Sequence, residues 1–536
     1  MISTSELTLS FSGRTLFENV SVKFVDGNCY GLIGANGAGK STFLKILSGE
    51  IEQSSGLVIM EDGKTLSVLK QDQFAHEDFE VIDVVLMGNP ALYKIYEERK
   101  VLYAKDEMTE SEGLRVGDLE VEFGEMGGYT SEADASSMLA DLGIAEDLHY
   151  KTMKELAPGE KIRVLLAQAL FGDPDVLLLD EPTNQLDYAS VLWLEKYLMD
   201  IKNTVIVVSH DRHFLNRVCT HTADLDYKEI KIYPGNYDFW KKSSELSAAQ
   251  RLDKNKKIEG RVKELEDFVR RFSANASKSK QATSRKKLIE KLSPEELPVS
   301  SRRSPYISFT PVSKCGTDVV KVKQVSHTVE GELVLNNVSF TINKNEKVAI
   351  IGDNSITKTT LLQILAGEIT PDKGEVEWGD SVQFTSFPKD NTKFFDTGAT
   401  LLEWLTDFSE TNEIQEVRGF LGRMLFSGDD VKKVVSVLSG GEKARAMFSK
   451  MMVTSANTLI FDEPTDHLDL ESISSLNEGL SAYSECLIFT SHDYELLNTV
   501  ANRIIEVSPK GHLDQRTSFS EYMESEIVAK KRLKLK

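Results

Sequence analysis

Short apolar runs punctuate this chain and set its architecture. Tyr30-Gly31-Leu32-Ile33, Val176-Leu177-Leu178-Leu179 and Val205-Ile206-Val207-Val208 are bounded by polar or turn residues, the pattern of buried strands. After the first run, Thr42, Phe43, Leu44, Ile46 and Leu47 recur at helical spacing. Between strand and helix lies Gly34-Ala35-Asn36-Gly37-Ala38-Gly39-Lys40-Ser41, which fits the phosphate-binding loop G-x-x-x-x-G-K-[ST]. Glycines at 34, 37 and 39 let the backbone aim N–H groups at phosphate oxygens, and the helix N-terminus adds its partial positive charge. In such a loop Lys40 reaches the β- and γ-phosphates and the Ser41 hydroxyl ligates Mg2+.

The pattern then repeats. The run before Asp180-Glu181-Pro182 returns before Asp462-Glu463-Pro464, and the run before Ser209-His210-Asp211 returns before Ser491-His492-Asp493, both with a spacing of 282 residues. The phosphate loop returns as Gly352-Asp353-Asn354-Ser355-Ile356-Thr357-Lys358-Thr359 with a spacing of 318, so 318 − 282 leaves 36 extra residues in the first copy. The segment 89–126, where Tyr93, Tyr96, Leu102 and Tyr103 alternate with charge at helical spacing, is predicted to hold them as an antiparallel helical arm.

Copy one is predicted to span 1–237 and copy two 318–525, which leaves 238–317 as a linker far longer than an ordinary loop. From Arg251 to Lys291 there are 14 Lys or Arg against 6 Asp or Glu, an excess of +8 in a chain whose net charge is −21. Trp240–Phe272 is predicted as one helix, 273–280 as a break and Gln281–Leu292 as a second helix. Lys278, Lys280, Arg285, Lys286 and Lys287 at the tip of this hairpin suit contact with RNA phosphates and riboses. The basic tail 526–536 is expected to fray.

Composition narrows the class. The overall acidity argues against indiscriminate nucleic-acid binding. No apolar run is long enough for a membrane span and no secretion-signal pattern opens the sequence, so a cytoplasmic protein is expected. Cys29, Cys219, Cys315 and Cys486 are far apart, without a C-x-x-C pair, and are expected to be reduced.

Leu438-Ser439-Gly440-Gly441-Glu442 matches the LSGGE signature of ATP-binding cassette proteins. With the phosphate loop, Asp180-Glu181-Pro182-Thr183-Asn184, the arm and the basic linker, the chain resembles the ABC-F family of translation factors. The linker text Phe272–Lys278 with Gln281–Arg285, and Ala157-Pro158-Gly159, are similar to its bacterial YbiT-like branch. The resemblance implies an α/β fold of two tandem ABC-type P-loop nucleotide-binding domains joined by a basic helical-hairpin linker. It further implies ATP hydrolysis with Mg2+, a single chain whose two domains pair with each other, and binding at the exit site of the 70S ribosome. There the linker would face ribosomal RNA and the transfer RNA of the peptidyl site.

In the head-to-tail arrangement so implied, site I joins Gly34, Asn36, Gly37, Gly39, Lys40, Ser41 and Thr42 to Ser439, Gly440, Gly441 and Glu442. Phe11 would stack on adenine, Ser41, Gln71 and Asp180 would hold the metal, Glu181 would polarise the water and His210 would contact the γ-phosphate. Asp187 would communicate across the interface. Site II joins Gly352, Asn354, Lys358, Thr359, Thr360, Asp462, Glu463 and His492 to Gly159 of copy one. It is expected to be degenerate: Val329 stands where Phe11 does, Ser355 and Thr357 replace Gly37 and Gly39, Lys389 replaces Gln71, and Ala157-Pro158 replace Ser439-Gly440. A membrane transporter's ATPase subunit, a DNA-maintenance ATPase and a non-hydrolysing clamp are the competing readings.

Overall fold

The computed structural model describes every residue except 12–13, 71, 73, 106–107, 185, 273–283, 285, 290–301, 353, 410–412, 467, 534 and 536. Of residues 11, 14, 248, 251, 252, 259, 268, 271 and 272 it describes the backbone only. The apolar runs form two mostly parallel sheets. In the first, the described strands lie in the order Glu229–Pro234, His221–Asp226, Cys29–Ile33, Thr204–Val208, Val176–Asp180 and Leu66–Val68. In the second the order, read from the opposite edge, is Gly511–Gln515, Arg503–Ser508, Lys347–Ile351, Cys486–Thr490, Thr458–Asp462 and Phe384–Phe387. Only the outermost hairpin of each sheet is antiparallel. The registers repeat too: Leu177 faces Val205 as Leu459 faces Leu487. Helices cover these strands, which is why Val-Leu-Leu-Leu and Thr-Val-Ile-Val-Val are buried without alternation.

Each cassette adds an antiparallel sheet, built around Ile2–Phe11 in the first and Asp318–Val329 in the second. In the first cassette the insert comprises the helices Pro90–Tyr103 and Glu110–Glu125. Asn89 and Thr109 cap them, accepting from the amides of Leu92 and Glu112. Arg99 and Arg115 tie them together through Glu120 and Glu98, both at 2.8 Å, over a small apolar seam of Leu102, Leu119 and Phe123.

The helix Tyr237–Phe272 has 36 residues, about 54 Å at the α-helical rise. Its base is anchored by Trp240, whose indole donates to Asp224 Oδ2 at 3.2 Å. Of the hairpin-tip cations named above, Lys278, Lys280 and Arg285 lie outside the described residues, while Lys286 and Lys287 are helical and exposed.

Two expectations need correction. Residues 302–317, assigned to the linker, belong physically to the cassettes. Ile307 and Phe309 are buried in the second cassette's core, and Cys315 donates to Glu485. Arg302 reaches Asp224 of cassette one at 2.6 Å and Glu471 of cassette two at 3.3 Å while stacking on Trp240. The tail does not fray at its start: Glu526–Arg532 is a helix that buries Val528, because Arg532 finds the buried Glu506 at 2.8 Å.

The cassettes meet through matching elements. Leu470 joins the first core, and Tyr188 packs on the second, its ring 6.0 Å from Tyr494 and 5.5 Å from Phe519. Arg212 pairs with Glu495 at 3.0 Å. No helix among the described residues is long and apolar enough to cross a membrane.

Candidate active site

Adjacent parallel strands of the first cassette end together. Cys29–Ile33 leads into the phosphate loop, Thr204–Val208 leads to His210, and Val176–Asp180 carries the acidic pair. Ligand crevices in open α/β sheets lie at such carboxyl ends. The loop is open, with Gly37 and Gly39 at φ +74° and +106°, a region that costs other residues energy, and the helix begins only at Lys40. Lys40 folds back onto the loop, donating to the Gly34 carbonyl at 2.8 Å and, longer, to that of Ala35 at 3.4 Å. Burial lowers its pKa, an effect opposed by Glu181 and, from the other cassette, by Asp469 and Glu471. Ser41 hydrogen-bonds Asp180, so a hydroxyl and a carboxylate with the chemistry of Mg2+ ligands already stand side by side.

Glu181 sits in the left-handed region at φ +52°, a strained placement for a side-chain-bearing residue. The amide of Glu181 donates to the Val208 carbonyl at 2.8 Å, and its carboxylate accepts from the His210 amide at 3.2 Å. Its Oε1 lies 3.3 Å from His210 Nε2. Burial drives the Glu181 carboxyl up to about 8 and the His210 imidazole down to about 3, with Lys40 also disfavouring the imidazolium. Burial in this site therefore favours the uncharged form of both side chains.

The second cassette places the same residue types in the same strand order and arranges them differently. Its helix starts at Ser355, three residues before Lys358, with Asn354 capping it by accepting from the Ile356 amide at 2.8 Å. The phosphate loop is thus partly wound into helix. Lys358 pairs with Glu463 Oε1 at 3.1 Å, beside His492 Nε2 at 3.4 Å. Glu463, also left-handed at φ +47°, accepts from the His492 amide at 2.9 Å. Burial pushes its pKa up, but His492 and Lys358 outweigh that and hold it below the usual carboxylate range. Asp462 Oδ1 accepts from Thr490 at 2.7 Å, a hydroxyl where cassette one has Val208, and Thr359 bonds the same carboxylate. Lys389 donates to Ser355 Oγ at 2.9 Å, joining two of the positions that differ from cassette one.

The signature segments also differ. Ser439 caps Gly440–Thr454 through a reciprocal pair, its amide and hydroxyl donating to Glu442 at 2.8 and 2.9 Å. In the other cassette Ala157 retains only the amide bond to Glu160, and Pro158 opens the helix without a donor. Ser439 keeps its amide and hydroxyl bonds within its own turn. What reaches site I from cassette two is the field of Asp469 and Glu471; the reciprocal residue, Asp187, caps its own helix, pairs with Arg163 at 3.3 Å and acts on His492. Asp469 was detectable in the sequence as the counterpart of Asp187 at the spacing of 282. Thr490 and the Lys389–Ser355 bond had no motif to announce them. Gln71 and the Phe11 ring lie outside the described residues and side chains.

Fold and site together define a tandem P-loop ATPase of the ATP-binding cassette class. The ABC transporter family model matches residues 17–184 and 335–466, and an extension model, also described as ABC transporter, matches 223–309. The chain is 52% identical over 533 residues to "Uncharacterized ABC transporter ATP-binding protein YkpA" of Bacillus subtilis, covering 99% of each chain. It is 46% identical over 529 residues to "Probable ATP-binding protein YbiT" of Escherichia coli O157:H7, covering 98% of this chain and 100% of that one. Among solved structures, an archaeal ribosome recycling factor, aABCE1, in complex with the stalk protein aP1, aligns with a TM-score of 0.59 at 18% identity. That alignment covers 97% of this chain and 91% of that one, and it supports the fold. This chain belongs to the ABC-F family of ATP-binding cassette proteins, and it is an ATPase.

Proposed function

We propose that the chain is a regulator of translation that binds the exit site of the 70S ribosome with its cassettes closed on ATP and leaves after hydrolysis. The observation that carries this reading is the pairing of an open site I with a long, basic helix. That helix, Tyr237–Phe272, projects cations such as Lys257 and Arg270, each about four-fifths exposed, from an acidic body. In the same reading Lys278, Lys280, Arg285, Lys286 and Lys287 would meet the transfer RNA of the peptidyl site. Charge concentrated on one projecting element suits backbone contact with RNA.

Site I is the hydrolytic site in this reading. Ser41 and Asp180, with Gln71, would hold Mg2+, which when bound neutralises phosphate charge. Lys40 would exchange the Gly34 carbonyl for phosphate oxygens. Phe11 would stack on adenine, and Ser439, Gly440 and Gly441 would close over the γ-phosphate from the other cassette. Glu181 would orient the attacking water and accept its proton, while neutral His210 donates a hydrogen bond without adding charge. Site II, with its helical loop and paired Lys358, is degenerate. The test is ATP-dependent co-sedimentation of Glu181→Gln with 70S ribosomes. Retention in ATP, lost without it, supports the reading; a variant that stays free in ATP removes the ribosome as partner.

A further inference from the structure

The linker leaves and rejoins the body at the seam between the cassettes, beside the strand that opens the phosphate loop. Asp224 faces Ile33 in that sheet, one residue before Gly34, and a Cβ on Gly34 would lie 2.7 Å from the carbonyl of Leu225. Trp240, near the start of the linker helix, bonds the Asp224 carboxylate. Arg302, where the chain returns from the linker, meets the same carboxylate at 2.6 Å and lies 4.4 Å over the Trp240 ring. Its Nε also sits 3.3 Å from Glu471, in the first turn of the cassette-two helix Leu470–Ala482, which Asp469 caps. Arg302, Asp224 and Glu471 are each at most 16% exposed, so removing one of them leaves a largely buried charge without its partner. Arg212 grips the same helix at Ser474 (3.4 Å) and the linker helix at Asp238 (3.5 Å), 5.5 Å from the Tyr237 ring.

The repeat shows what cassette one has added. At the spacing of 282, Asp224 becomes Glu506, Trp240 becomes Tyr522, and Glu471 answers to Ala189. Glu506 faces Ile351 as Asp224 faces Ile33, Tyr522 donates to it, and Arg532 meets it at 2.8 Å. Arg532 belongs to the C-terminal helix beside its own cassette. Arg302 instead comes from beyond the linker and reaches a carboxylate of the opposite cassette, at a position where the first copy has alanine. The same cluster is a local tie in cassette two and a bridge in cassette one.

We propose that Arg302 is a positioning residue for site I: by joining Asp224 to Glu471 it sets how closely the cassette-two wall that carries Asp469 approaches Lys40, and it ties that approach to both ends of the linker. This rests on the reading of site I as the working ATP site. The field of Asp469 and Glu471 already reaches Lys40. Displacing the linker therefore changes the affinity for ATP, and bound ATP resists that displacement by the same free energy.

The experiment is steady-state ATP turnover of the full chain, with KM and kcat read separately. Arg302→Gln is expected to raise KM about 5–30-fold, the lower part of the range for coupling between sites. Its kcat should stay within about twofold, because Glu181 and His210 are untouched. Glu471→Gln should do the same, and the double variant should be no worse than either, as for two residues acting through one contact. Arg302→Lys, which keeps the charge without the planar fork, should recover part of the loss. Arg532→Gln, which cuts the matching cluster in cassette two, should leave KM unchanged. Thermal unfolding checks each variant; should Arg302→Gln not fold, Glu471→Gln, which leaves Arg302 with Asp224, decides by its KM. Additive losses, an equal rise of KM in Arg532→Gln, or lowered stability with KM unchanged overturn the inference and leave the site I reading standing. Full turnover in Glu181→Gln overturns both.

Discussion

Lys40 and Lys358 hold the same place in two copies of one design, yet the first bonds a backbone carbonyl and the second a buried carboxylate. The lesson is that a nucleotide site is kept ready by what its lysine is denied. In site I the lysine has, among the described residues, no carboxylate within bonding distance and the loop glycines hold positive φ, so the cradle stays open. In site II residues with side chains let the helix start early, and the freed lysine settles on Glu463.

The largest expected effect breaks this comparison at the catalytic carboxylates. Glu181→Gln should lower steady-state phosphate release by about 10²–10⁴-fold, the range of a general base. Glu463→Gln should change it by less than about twofold, because that carboxylate is already engaged. Equal losses would mean that both sites turn over.

Stability should show the opposite asymmetry. Lys358→Met strands Glu463 in the core and should cost about 3–5 kcal/mol, the range for breaking a buried ion pair. Lys40→Met gives up carbonyl hydrogen bonds and should cost about 1–2 kcal/mol. Chemical denaturation followed by tryptophan fluorescence reads each cassette, since Trp193 and Trp240 pack on the first core and Trp378 and Trp404 on the second cassette. A Lys358 variant as stable as its Lys40 counterpart would contradict the pairing.

The loop backbones can be compared directly. At Gly39 an added Cβ would find ordinary space, 3.4 Å from Leu16, but φ of +106° strains it, so Gly39→Ala should cost about 1–2 kcal/mol. Thr357, its counterpart, is fully buried in helix with its hydroxyl unbonded. Thr357→Val should therefore be neutral or stabilising by up to about 1 kcal/mol, measured as the shift in denaturation midpoint.

How much of this was legible in the sequence differs between fold and site. Runs such as Val176–Leu179 and Leu459–Phe461 announced both parallel sheets, since a strand covered on both faces must be apolar throughout. The list of substitutions at Ser355, Thr357 and Lys389 was equally plain. That Lys389 reaches Ser355, and that Thr490 ties down Asp462, depends on loops some 34 and 28 residues apart meeting at a sheet edge, which no spacing rule states. Ile307 and Phe309 were assigned to the linker because they have no repeated counterpart to mark them as core. The tail was misjudged because its cations were counted before their buried partner, Glu506, could be located.

The smallest expected effect concerns the seam between the cassettes, where His213 meets Tyr494. His213 lies 3.2 Å from buried Glu195 and its ring 4.1 Å from that of Tyr494 in the other cassette. The hydrogen bond to Glu195 raises its pKa, with burial opposing and Asp211 and Arg217 adding smaller, opposite contributions. A raised histidine stabilises the folded state fully below the unfolded value near 6.5, and that stabilisation is lost as pH climbs through the folded value. Interdomain stability should thus fall by up to about 1 kcal/mol between mildly acidic and mildly alkaline solution. His213→Gln should flatten that slope in thermal unfolding while leaving site I turnover intact. An unchanged slope would place the titrating group elsewhere, and the seam would then be held by Arg212–Glu495 and the Tyr188–Tyr494 stack without help from the imidazolium.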